Sequence, residues 1–228
     1  MTIENRLRQE EGLRFLPVVA ALILLLAPTP ANASLLVAGG DHTGEDHSGE
    51  NHRGHELASI NLSLANLSNS NFRDSIFVTA LFVSADLSGA NLRNVDFTGA
   101  DLSSADLSNA NLRNAIFATA TLTAADLGGA YARDADFSGA TLDGADLSYL
   151  NGRNADFSGA SLLGTDLRFS NWSGAVFEGA LYDDTTLFDS EFDIGSLVYT
   201  PEPSTGLLSA MGLVALSIRS RRERRANR

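Results

Sequence analysis

The sequence predicts a solenoid of five-residue units, four units to a coil, and two nested periods predict it. From Leu57 to Leu197 every fifth residue is the centre of one unit, as in Ala85-Asp86-Leu87-Ser88-Gly89 followed by Ala90-Asn91-Leu92-Arg93-Asn94. A unit this short cannot bury its own apolar residue and must stack on its neighbours. A second period of twenty runs through the first. Arginine recurs at Arg73, Arg93, Arg113, Arg133 and Arg153, and phenylalanine takes the centre at Phe77, Phe97, Phe117, Phe137, Phe157 and Phe177. Twenty-residue spacing places like on like along one face, which requires four units per coil.

Within a unit the central Leu or Phe and the small residue two places before it, mostly alanine, are the candidate core. The stacked phenylalanines each contribute roughly 1.5–3 kcal/mol by burial. At Ala132 and Gly152 two successive coils lack a large central residue. Local repacking is expected there, with Leu150 taking part of the space and Trp172 closing the gap from the next coil. Cysteine is absent, so packing and backbone hydrogen bonds alone must hold the coils. From Tyr182 the pattern coarsens through Asp183, Asp184, Phe188, Phe192 and Tyr199, which suggests a cap on the exposed strand edges of the last coil.

The two ends carry different signals. Arg6, Arg8 and Arg14 precede an apolar run from Phe15 to Ala27, and Ala31-Asn32-Ala33 offers small residues at both positions that a signal peptidase reads. Residues 1–33 are therefore expected to be a secretory signal peptide. At the other end Pro201-Glu202-Pro203 is followed by an apolar stretch from Gly206 to Ile218 and by Arg219, Arg221, Arg222, Arg224, Arg225 and Arg228. Thirteen helical residues span about 20 Å, short of a hydrocarbon core of roughly 30 Å, so a short, transient inner-membrane anchor is expected, with its arginines in the cytoplasm.

Two family resemblances follow from these residues. The repeated Ala, then Asp or Asn, then Leu or Phe resembles the pentapeptide-repeat family. That resemblance implies an all-β right-handed quadrilateral β-helix over residues 57–200, whose 29 units make about seven coils with a length of about 34 Å. Residues 201–228 resemble the PEP-CTERM sorting domain of exopolysaccharide-producing Gram-negative bacteria. That second resemblance implies processing by the membrane protease exosortase, with Pro201, Glu202 and Pro203 as the sorting signal, and delivery to the cell surface or the extracellular matrix.

Charge narrows the partners. Residues 34–200 hold seven arginines against 23 Asp and Glu, a net charge of −16, on a chain of mean hydropathy −0.01. Such a surface repels nucleic acid and anionic lipid and draws cations into its ion atmosphere. Against that background the arginine ladder is a candidate site for an acidic polysaccharide through bidentate contacts. A self-neutralising network is its ordinary alternative, with Asp74 and Asp134 beside their arginines and Asp96, Asp136 and Asp156 around a corner. The aspartates at Asp86, Asp106, Asp126, Asp146 and Asp166 suit diffuse cation accumulation better than a shaped calcium site.

All four histidines, His42, His47, His52 and His55, lie in residues 34–56, which keep the five-residue beat. Histidine at an inward position would strand buried polar groups. The stretch is therefore expected to be a disordered acidic lead-in, with its histidines only weak metal candidates because their spacing matches no closed zinc motif. No cofactor and no catalytic constellation is expected, since the repeats hold neither cysteine nor histidine. The expectation is a non-catalytic exported structural or interaction protein. The alternatives are an acidic-polysaccharide-binding module, or a DNA-mimicking topoisomerase-interacting protein, a role that export does not favour.

Overall fold

The structure, a computed structural model, describes residues 36–201. The expected signal helix with Ala31 and Ala33, the expected membrane helix, and Glu202 and Pro203 lie outside the described residues. Among the described residues no helix is long and apolar enough to cross a membrane.

Each unit turns the chain once. The central carbonyl accepts from the backbone N–H three residues on, as Phe82 O does from Ala85 N at 3.0 Å and Leu87 O from Ala90 N at 3.0 Å. Of the two residues between, only the second has positive φ, 55° at Ser84 and 65° at Gly89, which is the signature of a type II turn. The Asp or Asn before each centre fixes the same turn from its side chain. Asp86 Oδ1 accepts from Ser88 N at 2.9 Å and from Ser88 Oγ at 2.6 Å, and Asp96 and Asp101 repeat the arrangement. The consensus acid or amide is thus first a turn-former.

Between turns only one residue per side bridges to the next coil. Phe82 N donates to Asp101 O at 2.7 Å and Asp101 N to Ala80 O at 2.9 Å, giving a parallel bridge between Leu81 and Asp101. One side runs Asp41, Asn61, Leu81, Asp101, Thr121, Thr141, Ser161, Leu181, each bridged in parallel to the next, and ends in the short strands β1 (Leu181–Tyr182) and β2 (Val198–Tyr199). Four such sides close a quadrilateral β-helix. Central residues from Leu57 to Leu167 are all buried, and the phenylalanine column stacks with ring centroids 5.4 Å apart at Phe77–Phe97, 5.0 Å at Phe97–Phe117 and 4.8 Å at Phe117–Phe137 and Phe137–Phe157.

Repacking at Gly152 takes the expected form. Ala132 is fully buried, and a Cβ added at Gly152 would collide with the ring of Trp172 and lie 3.3 Å from Leu150 Cδ2. Trp172 thus fills the slot that Gly152 leaves, with its Nε1 donating to Leu167 O at 3.1 Å.

Two expectations are corrected. The first concerns the frame, which does not run unbroken to Leu197. Asp166 bridges Leu187, twenty-one residues on, so one residue is inserted after Tyr182. Leu187 becomes an outward bridge residue, 41% exposed, and Phe188 takes the inward place against Tyr182 and Phe192. The insertion is held by Asp183, whose Oδ1 accepts from Gly164 N, Thr185 N, Thr185 Oγ1 and Thr186 N at 2.8–3.1 Å. Burial there opposes ionisation, but these hydrogen bonds outweigh it and keep the Asp183 carboxyl below its usual range.

The second correction concerns residues 36–56, which are no disordered lead-in. Asp41, Asp46, Asn51 and Glu56 bridge Asn61, Asn66, Asn71 and Ile76, one to each side of a full coil. His42, His47 and His52 occupy the central positions and are 8%, 1% and 8% exposed. Glu45 and Glu50, which stand at the inward positions normally held by alanine, meet one ring nitrogen of His42, both of His47 and one of His52.

Candidate functional site

The coil brings the predicted arginines together and adds one. Successive arginines sit on successive rungs, since Gly54, Asp74, Asn94, Asn114 and Asp134 each donate a backbone N–H to the carbonyl of Arg73, Arg93, Arg113, Arg133 and Arg153 at 2.9–3.1 Å. With the first coil ordered, Arg53 extends the column by one rung, and Arg53 Nη2 lies 3.0 Å from Asp74 Oδ2. Sequence reasoning misses Arg53 because it takes residues 34–56 for a disordered lead-in.

Neutralisation of the column is partial. Asp74 lies 3.4 Å from Arg73 Nε, and Asp134 lies 3.1 Å from Arg133 Nε. Asn94 donates to Asp74 at 2.7 Å and Asn154 to Asp134 at 2.9 Å; these hydrogen bonds, then the neighbouring guanidinium charges, hold both carboxyls below the usual range. Among the described residues no ion pair joins Arg93, Arg113 or Arg153 to a carboxylate. Asp96, Asp136 and Asp156, expected to serve as partners, spend an oxygen on the backbone of Thr98, Ser138 and Ser158 instead.

Beside the arginines runs a column of amides, Asn71, Asn91 and Asn111, then Tyr131, then Asn151 and Asn171. Tyr131 is 58% exposed and stands where the consensus has an amide. It joins Asn91, Asn111, Asn151, Arg113 and Arg133 around a shallow groove of about 450 Å³. No periodicity in the sequence announced the groove, because its distinctive member is the residue that breaks the column.

The aspartate ladder Asp86, Asp106, Asp126, Asp146 and Asp166 is contiguous, each bridged to the next. One oxygen of each accepts from a backbone N–H two residues on, at 2.7–3.0 Å. These carboxylates are turn-formers, and Asp166 also takes the Arg168 guanidinium on both its oxygens, with Nη2 2.7 Å from Oδ2.

The histidines form a third feature. His42 Nδ1 lies 2.9 Å from Glu45 Oε2, which lies 3.0 Å from His47 Nε2; His47 Nδ1 lies 2.9 Å from Glu50 Oε2, which lies 2.8 Å from His52 Nε2. Burial pushes the His52 imidazole below its usual range. At Glu50 burial acts upward, but the two histidine hydrogen bonds together outweigh it and lower the carboxyl. His55 follows at the next corner, with its ring centroid 5.5 Å from that of His52.

Pentapeptide repeats match in eight copies over residues 60–99, 100–139 and 135–168, and a PEP-CTERM protein-sorting motif matches residues 200–222. The repeat match begins beyond the histidine coil, which keeps the geometry without the consensus. Among solved structures, the chain is similar to a pentapeptide repeat protein from Nostoc PCC 7120, with 37% identity over 44% of this chain and 84% of that one, at a TM-score of 0.43. It is also similar to full-length QnrB1, a plasmid-mediated fluoroquinolone resistance protein, at 18% identity over 76% and 99% of the two chains and a TM-score of 0.34. A third is Rfr23 from the cyanobacterium Cyanothece 51142, at 22% identity over 63% and 91% and a TM-score of 0.23. No curated relative matches the chain.

Proposed function

We propose that this chain, a pentapeptide-repeat protein with a C-terminal PEP-CTERM sorting motif, is exported across the inner membrane of a Gram-negative bacterium. An exosortase then sorts it to the cell surface or the exopolysaccharide matrix, where it acts as a non-catalytic structural or interaction element. The observation that carries this reading is the sorting motif at residues 200–222 behind a repeat body of net charge −16. Signal peptidase acting after Ala33 and exosortase acting near Pro201 are its processing partners. Replacing Pro201, Glu202 and Pro203 together with alanine should leave the precursor in the membrane fraction. Release of that variant at the wild-type level would sink the sorting reading.

A second observation favours a ligand at that destination. The groove sets Arg113 and Arg133 beside an exposed Tyr131 and the amides of Asn91, Asn109, Asn111 and Asn151. Guanidinium groups take carboxylates in a bidentate fashion, a tyrosine face packs against the C–H face of a sugar ring, and amides serve hydroxyls. That combination suits an acidic polysaccharide running along the column. Changing Arg93, Arg113, Arg133 and Arg153 to serine should weaken salt-sensitive retention on the producer's own polysaccharide by about fourfold or more, since exposed charge contacts contribute 0.2–1 kcal/mol each. Unchanged retention would dismiss the site. The same column interrupts the continuous negative surface that a mimic of duplex DNA requires, so no topoisomerase role is proposed.

A further inference from the structure

Periodicity turns the five-residue spacing of the histidines into contact around one coil. Ring centroids of His42 and His47 lie 6.0 Å apart, and those of His47 and His52 lie 5.7 Å apart. His47 is 1% exposed, yet each of its ring nitrogens lies within 3.0 Å of a carboxylate oxygen. A neutral imidazole carries one proton and satisfies one carboxylate; the other contact then sets a lone pair against a lone pair. Either a second ring proton or a metal cation in its place removes that conflict, and the cation also recruits His52. Glu45 on Nε2 is placed to fix the tautomer, leaving Nδ1 as the lone pair directed toward Glu50 and His52. A carboxylate on the non-ligating nitrogen is the usual outer partner of a metal-bound histidine.

We propose that His47 Nδ1, Glu50 and His52 Nε2 form a binding site for a borderline divalent transition metal ion such as zinc. The three residues present ligand atoms within 4.8 Å of one another. Glu50 Oε2 is 2.9 Å from His47 Nδ1 and 2.8 Å from His52 Nε2. Tetrahedral zinc with bonds of 2.0–2.2 Å needs ligand separations of about 3.3 Å, so the set must open by roughly half an ångström. Glu50 has the room, because its side chain is 30% exposed while His47 is enclosed. His52 is held from below by the Phe72 ring, stacked at 5.1 Å and 16°. Two imidazoles and one carboxylate leave a fourth position for water, and nitrogen donors select zinc, nickel or copper over calcium and magnesium. The site does not depend on where the chain is sorted.

The experiment uses the full chain stripped with a chelator and titrated with zinc chloride by calorimetry, with calcium and magnesium chloride as controls. One zinc per chain is expected, with binding at least tenfold weaker in His47→Gln and His52→Gln and unchanged in Glu56→Gln, which alters an exposed carboxylate of the same coil. X-ray absorption of the zinc-loaded wild-type chain should show two imidazole nitrogens among its ligands, a readout that survives should the variants misfold. No saturable zinc uptake, uptake equal to that of calcium, uptake insensitive to both histidine changes in folded protein, or a spectrum without imidazole would overturn the site.

Discussion

Replacing Phe117 with alanine is expected to lower the unfolding free energy by about 3–5 kcal/mol, the range for a large aromatic deleted from a core that cannot collapse. Phe117 is fully buried, between Phe97 at 5.0 Å and Phe137 at 4.8 Å. Collapse is blocked because the rungs above and below are fixed by backbone bonds, with Phe97 N donating to Ile116 O at 2.7 Å and Phe117 N to Asp136 O at 2.6 Å. The neighbouring Ile116 is 39% exposed on a bridge position, so Ile116→Ala should cost well under half as much. Urea unfolding of both variants against wild type checks the contrast. A solenoid is held by nearest-neighbour terms, so the same loss in the middle of the column should be felt by the coils on both sides. A change below about 1 kcal/mol for Phe117→Ala would mean that the column does not carry the core.

A second large effect is expected where the repeat is broken. Trp172→Ala should also cost about 3–5 kcal/mol, because it empties the slot that Gly152 leaves. Gly152→Leu, which restores the consensus centre, should by itself destabilise by about 1–3 kcal/mol, since the Trp172 ring already occupies that volume. Combined, the two changes should compensate, and the double variant should be more stable than Trp172→Ala alone. This reversal of sign is the signature of two residues sharing one space. Additive losses in a thermal or urea melt would show that Trp172 is not filling the position of Gly152.

Most of the architecture was legible because every unit repeats the same physical demands. The centres at Leu62, Leu87 or Phe97 must be inward and large, the residues at Ala85 or Ala90 inward and small, and the twenty-residue recurrence of arginine and phenylalanine leaves four units per coil as the arrangement that aligns them. Trp172 could be assigned to the gap at Gly152 by the same reasoning. What escaped the sequence depended on pairs of positions. Taken one at a time, His42, His47 and His52 are polar residues with nothing to bond. The acceptors that make them tolerable, Glu45 and Glu50, come from the neighbouring corners of the same coil. Arg53 was lost with them.

The slip after Tyr182 was hidden for a different reason. Leu187 and Leu197 keep the five-residue arithmetic although Leu187 is outward and Val198 pairs with Leu181, while Asp183 and Thr186 hold the inserted residue through hydrogen bonds that no hydropathy pattern records. Tyr131 is similar in kind. Its position is outward on any reading, so the sequence gives no hint that the amide column on one face turns into a groove there.

Export is tested most directly by intact mass of the protein in cytosolic, membrane and outer fractions of the producing cell. A species in the outer fraction that begins near Ser34 and ends near Pro201 is expected. Full-length chain confined to the cytosol would contradict it.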